Sequence, residues 1–180
     1  MSVLKLARSS SPILRTPTKT MKHKLTKADR KTISNMTKTL MAMPNAIALA
    51  APQVDLSMRV FVVKSKSDID IIINPTIVWT SMSDPNEIVF GPNNSPIPRI
   101  TSFWEQCLSF PDNEYFIERP YIITIQFRNI KGVEQKKSYQ AWPARVVLHE
   151  IDHLDGVLVQ DRASTSRQII DDDQIETWRF

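Results

Sequence analysis

The chain predicts an α+β fold, because strand-forming runs fill its middle and its second strong helix pattern comes late instead of alternating with them. Three observations carry this reading. Residues 26–43 place Ile33, Met36, Leu40 and Met43 at helical spacing, β-branched runs follow between residues 59 and 140, and residues 143–155 return to a helical pattern. With 180 residues, 42% of them hydrophobic and 23% charged, the chain has the length and mix of a globular domain that can bury its own core.

Each element has a local cause. Thr26 is placed to cap the first helix and Pro44 to end it. Strands are expected at 59–63, 69–73 and 76–79, where β-branched residues cluster. Residues 81–102 hold Pro85, Pro92, Pro96 and Pro98 and read mostly as loop. Residues 121–128 alternate as a strand, and 129–132 read as a turn into a polar strand at 133–140. Pro143 suits the first turn of the late helix, and Gly156 its C-terminal cap. Residues 163–180 read as a polar, acidic tail after a folded domain of residues 1–162.

Composition excludes several classes. A single cysteine, Cys107, allows no intrachain disulfide. No apolar run reaches the roughly 18–20 residues of a membrane span. Three glycines cannot build a GxGxxG or P-loop phosphate cradle. Net charge is +4, and the excess sits in residues 1–31, where nine Lys/Arg face one acid, Asp29. Such a stretch reads as a solvated face, an organellar presequence, or a surface for an anionic partner such as RNA.

The late helix carries metal-ligand spacing. His149 and His153 lie four apart, so their imidazoles point the same way, one turn apart. Glu150 beside them completes an HExxH pattern and can reach a metal-held water as general base. A catalytic metal usually needs a third protein ligand. Val159 stands where a metzincin has its third histidine, Glu176 lies in the polar tail, and His23 lies far upstream in the basic stretch. Cys107 is the strongest remaining candidate, although a lone cysteine is more often a small buried hydrophobe.

Three segments then resemble the peptide deformylase family. Residues 46–53 (AIALAAPQ) resemble its GxGLAAPQ motif, residues 105–109 (EQCLS) its EGCLS motif, and residues 149–153 (HEIDH) its HExDH motif. The order and separations agree, and Pro12, Leu14 and Arg15, Arg119-Pro120 and Ala144-Arg145 fit as well. The likeness spans residues 3–162. It implies antiparallel or mixed sheets packed around a central HExxH-bearing helix. It also implies hydrolysis of the N-formyl group from formyl-methionine at the start of nascent polypeptides, releasing formate.

The resemblance assigns one divalent metal to Cys107, His149 and His153, with Fe(II) expected and zinc, nickel or cobalt possible. It assigns acid–base work to Glu150, and oxyanion stabilisation to the Gln53 amide and the Leu108 main-chain N–H. The peptide would lie extended beside residues 47–49, that is Ile47, Ala48 and Leu49. Ile47, Phe103, Trp142 and Val146 are the candidate walls of a methionine pocket, with plain core packing as the alternative. Glu105 is placed near the substrate site and could receive the second N–H of a metal histidine. Asp152 is expected to face away from the metal, in an ion pair with Arg119.

The departures concern shape. Ala46 and Ala48 replace glycines, Gln106 replaces glycine, and Leu148 replaces glutamine. They leave a second reading, a metalloamidase or peptidase for another N-blocked peptide or a weakly active paralogue, and a third, a binding module with a structural metal. A cytoplasmic location is expected because a thiolate ligand suits a reducing compartment, an organelle being the alternative. The basic N-terminal stretch could add a transient ribosome contact.

Overall fold

The computed structural model describes residues 2–65, 68–84, 88–90 and 95–169. The acidic run after residue 170, Glu176 included, lies outside them. Helix α1 (Lys27–Met41) begins on a reciprocal cap: the Asp29 main-chain N–H donates to Thr26 Oγ1, and Asp29 accepts from the Thr26 main-chain N–H. Strands β1 (Ala48–Ala50), β2 (Val60–Lys64), β3 (Ile69–Thr80), β6 (Ile122–Arg128) and β7 (Glu134–Gln140) form one sheet in the order β1-β2-β3-β6-β7. Strands β4 (Ile100–Cys107), β5 (Phe110–Pro120) and β8 (Thr165–Gln168) form a second sheet in the order β4-β5-β8. Each of these pairings is antiparallel. Helix α2 (Trp142–Leu154) and the short α3 (Val159–Arg162) complete the element order.

The larger sheet is covered on both faces. One face buries Leu49, Val60, Val62 and Ile73 against Ile33, Met36 and Leu40 of α1. The other buries Ala50, Phe61, Ile72, Ile123 and Ile125 against Val147, Leu148, Ile151 and Leu154 of α2. Alternation along each strand sends neighbours to opposite helices, as Val60, Phe61 and Val62 show. Helix α2 is buried from Ala144 through Leu154, polar residues included, since the second sheet closes its remaining side. Leu148, the residue that replaces a family glutamine, spends its side chain in this core.

Several expectations are corrected. The two strands expected at 69–73 and 76–79 are one strand, β3, with register breaks between Ile73 and Thr76 and between Ile77 and Trp79. Asn74 absorbs the first with φ 52°, and its amide exchanges hydrogen bonds with the Met21 main chain at 2.8 and 2.9 Å. The loop expected through residue 102 ends earlier, because β4 starts at Ile100. Strand β8 extends the folded unit past residue 162, pairing Asn113–Phe116 of β5 with residues 165–168. That strand has no apolar alternation; its anchors are long range, since Arg167 pairs with Glu114 at 2.7 Å and covers the Trp104 ring at 4.1 Å.

Two main-chain positions at the ends of α2 have opposite chemistry. Gly156 takes φ 73°, and a Cβ there would stand 2.8 Å from the Arg15 carbonyl carbon and oxygen. Ala141, before Trp142, holds φ 55° and ψ −127°, a conformation that suits glycine. Ala141→Gly is expected to raise stability by about 1 kcal/mol, or roughly 2–4 °C in Tm for a chain of this size. Gly156→Ala is expected to cost about 2 kcal/mol or more. Thermal unfolding of both variants checks the contrast, and equal shifts would contradict it.

Candidate metal centre and active site

Three elements converge on one point. β4 ends at Cys107, where a two-residue turn, Leu108-Ser109, leads into β5 and the register breaks between Gln106 and Cys107. α2 presents His149 and His153 on one face. A tight helical turn at Ala51–Val54 carries Gln53 beneath β1. The ligand-capable atoms of Cys107, His149 and His153 lie within 4.8 Å of one another, all buried. Cys107 Sγ is 3.2 Å from His153 Nε2. Of the alternatives, His23 is exposed and is not part of this group.

Electrostatics favour the ligand form of Cys107. Burial opposes the Cys107 thiolate, but His153 and His149 beside it hold its pKa well below that of a free thiol. Burial also opposes a charged His149, yet Cys107 on one side and Glu105 on the other raise its pKa to about 10. A cation bound there would displace the His149 proton, and the donor set of one sulfur and two nitrogens suits a divalent transition metal. His153 Nδ1 is buried without a hydrogen-bond partner among the described residues.

Glu150 stands next to this group with its side chain wholly buried. Its carboxylate reaches only toward the Ala50 N–H, which is already given to Gln53 Oε1 at 2.8 Å. Burial pushes Glu150 up to about 7, against the pull of His149 and His153. A carboxyl poised there can take or give a proton near neutrality. The Ala50 bond also settles the Gln53 amide: with Oε1 occupied, Nε2 faces Cys107 Sγ at 3.8 Å, so a donor is aimed at the centre.

Behind the histidines lies a buried ionic network. Glu105 accepts from Arg119 Nε and Arg145 at 2.6 Å each and faces His149 Nδ1 at 2.9 Å. Arg119 continues to Asp152 at 2.8 Å, and Asp152 to Arg162 at 2.8 Å. Asp152 thus turns away from the ligands toward Arg119, as expected. Glu105 is fully buried among guanidinium groups, so the structure removes it from side-chain contact with a substrate and leaves it as the partner of His149. Arg145, unassigned in the sequence reading, is the missed member; it also donates to the Ile117 and Thr101 carbonyls. Its signal was a basic residue within the apolar first turns of α2, between Trp142 and Leu148.

The candidate substrate residues separate in the same way. Leu49 is core on the α1 side, so only its main chain is available. Ala48 packs with Val146, and Ile47 and Trp142 adjoin them. Ile47, Trp142 and Val146 line an apolar cavity of about 450 Å³ that continues to Val63 and Tyr139. Phe103 is 55% exposed and meets Trp142 edge-on at 5.6 Å, at the rim. Ala46 and Ala48 hold ordinary negative φ, so the replaced glycines were not needed for backbone freedom. Gln106 is buried and donates to Glu114 at 2.8 Å, extending the anchor of β8.

An HExxH helix and a facing cysteine, enclosed by two antiparallel sheets, have the pattern of a metal-dependent hydrolase. Residues 3–168 match the Polypeptide deformylase family, and the chain belongs to it. It is similar to the peptide deformylase of Leptospira biflexa serovar Patoc, 32% identical over 98% of this chain and 97% of the relative. A crystal structure of peptide deformylase from Thermotoga maritima superposes with a TM-score of 0.76 at 32% identity, covering 91% of this chain and 99% of that one. A peptide deformylase from Synechococcus elongatus, crystallised with actinonin, gives 0.73 at 28% identity over 90% and 79%. The protein is accordingly a hydrolase that deformylates the N-termini of nascent polypeptides, and its family is metal-dependent.

Replacing Arg119 by Leu leaves Glu105 to Arg145 and His149 and Asp152 to the half-exposed Arg162, and is expected to cost about 3 kcal/mol. Arg162→Ala, whose side chain is half exposed, is expected to cost under about 1 kcal/mol. Burial opposes the Glu105 charge, but His149 and Arg119 hold its pKa far below the ordinary range. Its share of stability is therefore complete above the unfolded value of about 4.3 and declines as pH falls below it. Denaturant titrations of wild type and both variants at neutral and acidic pH read these effects.

Proposed function

We propose that Cys107, His149 and His153 hold one divalent cation and that Glu150, Gln53 and Leu108 carry out deformylation around it. The single observation that supports this most is the buried, unsatisfied Glu150 carboxyl beside three convergent ligand atoms. A cation held there supplies a Lewis acid and lowers the pKa of water. Iron(II) is the ion the family resemblance implies; the donor set accepts zinc, nickel or cobalt as readily.

The protein's own groups divide the remaining work. Glu150 takes the proton of the attacking water and returns it to the leaving amine, for which a pKa near neutrality is suited. The Gln53 amide, fixed by Ala50, and the Leu108 main-chain N–H receive the charge that develops on the formyl oxygen. Glu105 holds the His149 ring through Nδ1 and leaves Nε2 for the metal. β1 is an edge strand, so a peptide can add along it through main-chain bonds that ignore side-chain identity. Ile47, Trp142 and Val146, with Phe103 at the rim, receive the methionine side chain. The catalytic unit comprises residues 1–162 together with β8, the acidic tail following it.

No helix among the described residues is long and apolar enough to cross a membrane. A cytoplasmic site of action suits the Cys107 thiolate, and a transient ribosome contact through the basic N-terminal region suits the substrate.

Loaded anaerobically with Fe(II), the protein is expected to release formate from a formyl-Met tripeptide. Glu150→Gln should lower kcat by about 100- to 10,000-fold with the metal retained, and Gln53→Ala by about 100- to 1,000-fold. Robust turnover in Glu150→Gln would remove its assigned role. A chelator should abolish release and added Fe(II) restore it, while Cys107→Ala should fail to retain stoichiometric metal by elemental analysis. Full metal content in that variant would sink the ligand assignment.

A further inference from the structure

The outer face of α1 carries charge that neither folding nor deformylation uses. Lys27, Lys31 and Lys38 stand four and seven residues apart, which puts them on one stripe of the helix, and all three are exposed. The stripe spans about 16 Å at 1.5 Å per residue. The opposite stripe, Ile33, Met36 and Leu40, is fully committed to the core. At its N-terminal end the basic surface broadens. Arg30 donates to the Ile130 carbonyl at 2.9 Å, which sets the exposed Lys131 beside the helix. Arg128, two residues before Ile130, binds the Lys22 and His23 carbonyls and holds the exposed Lys22 and Lys24 near the same turn.

Compensating acid is scarce there. Lys27 and Lys31 repel across a helical turn, an arrangement that disfavours the helix slightly. Asp29, the only acid in α1, has its carboxylate engaged by Thr26. Glu134 lies 3.7 Å from Arg128. Asp68 shares a shallow groove with Lys38 and Lys64, but among the described residues no ion pair joins it to Lys38.

We propose that this stripe of α1 docks on the phosphate backbone of structured RNA. Three ammonium groups in a row on a rigid helix match a regular array of phosphates and gain by releasing its counterions. A membrane surface is a poorer match, because an interfacial helix must insert an apolar face and that of α1 is buried against β2. An acidic protein is also a poorer match, because the stripe's one large exposed apolar residue, Met41 at its far end, gives little anchor. The purpose of the contact rests on the deformylase reading, since nascent chains are made on RNA; the contact itself rests on α1.

The test uses the metal-loaded full chain and a labelled RNA hairpin of arbitrary sequence, with binding followed by fluorescence anisotropy across a salt series. The variant K27Q/K31Q/K38Q is compared with Q135E/K136Q/Q168E, which changes net charge equally at exposed positions of β7 and β8. Wild type should bind with an affinity that falls steeply with salt. The α1 variant should bind about tenfold more weakly or worse and lose about two to three units of the log–log salt slope. The control should change less than twofold. Equal loss in both variants, no binding by wild type at low salt, or anionic-vesicle binding that depends on the same lysines would each overturn the proposal. Formate release from a formyl-Met tripeptide is measured on every sample. Its absence in wild type would overturn the deformylase reading and leave the RNA result standing by itself.

Discussion

The structure turns on one buried carboxylate. Glu105 sits on β4 with no solvent access, and burying a charge without partners would cost several kcal/mol. Its two oxygens satisfy that demand by drawing in Arg119 from β5 and both Arg145 and His149 from α2. One group therefore locks the second sheet to the central helix and sets the His149 ring. Asp152 balances the second charge of the cluster and carries the network to Arg162 at the surface. The positions of Cys107, two residues after Glu105, and of His153, one turn after His149, follow from the same lock.

Around that cluster the fold separates two duties. The five-stranded sheet supplies the apolar mass, with a helix packed on each face. The three-stranded sheet contributes few apolar contacts and holds the polar chemistry, and its edge strand β8 is retained by Arg167 through Glu114 and Trp104. Cys107, His149 and His153 lie at the seam, on the face of α2 that the larger sheet does not cover. This explains why α2 can be buried from Ala144 to Leu154 and still carry five ionisable side chains, at Arg145, His149, Glu150, Asp152 and His153: each faces a partner or the site, not hydrocarbon.

The replacements of family residues now have physical readings. Ala46 and Ala48 are tolerated because their backbone never enters the left-handed region, and the Ala48 methyl fills space against Val146. Leu148 adds to the core between α2 and the sheet. Gln106 becomes part of the chain Gln106–Glu114–Arg167 that secures β8. None of the four touches Cys107, His149, His153, Glu150 or Gln53 in identity, which agrees with deformylation and does not favour the reading as a different amidase.

What could be read from the chain alone was whatever depends on short-range spacing. Thr26 and Asp29 cap α1, four-residue spacing aligns His149 with His153, and Pro143 and Gly156 bound α2, because helix geometry couples residues three and four apart. The motifs likewise singled out Cys107, His149 and His153, which the fold brings together. Tertiary structure alone decided which distant groups share a buried charge. No local pattern says that Arg145 and Arg119 meet on Glu105, that β3 runs through Asn74 and Pro75, or that a polar segment at 165–168 is a strand. Those outcomes depend on pairing across long sequence separations, where burial and the need to satisfy charge override local propensity.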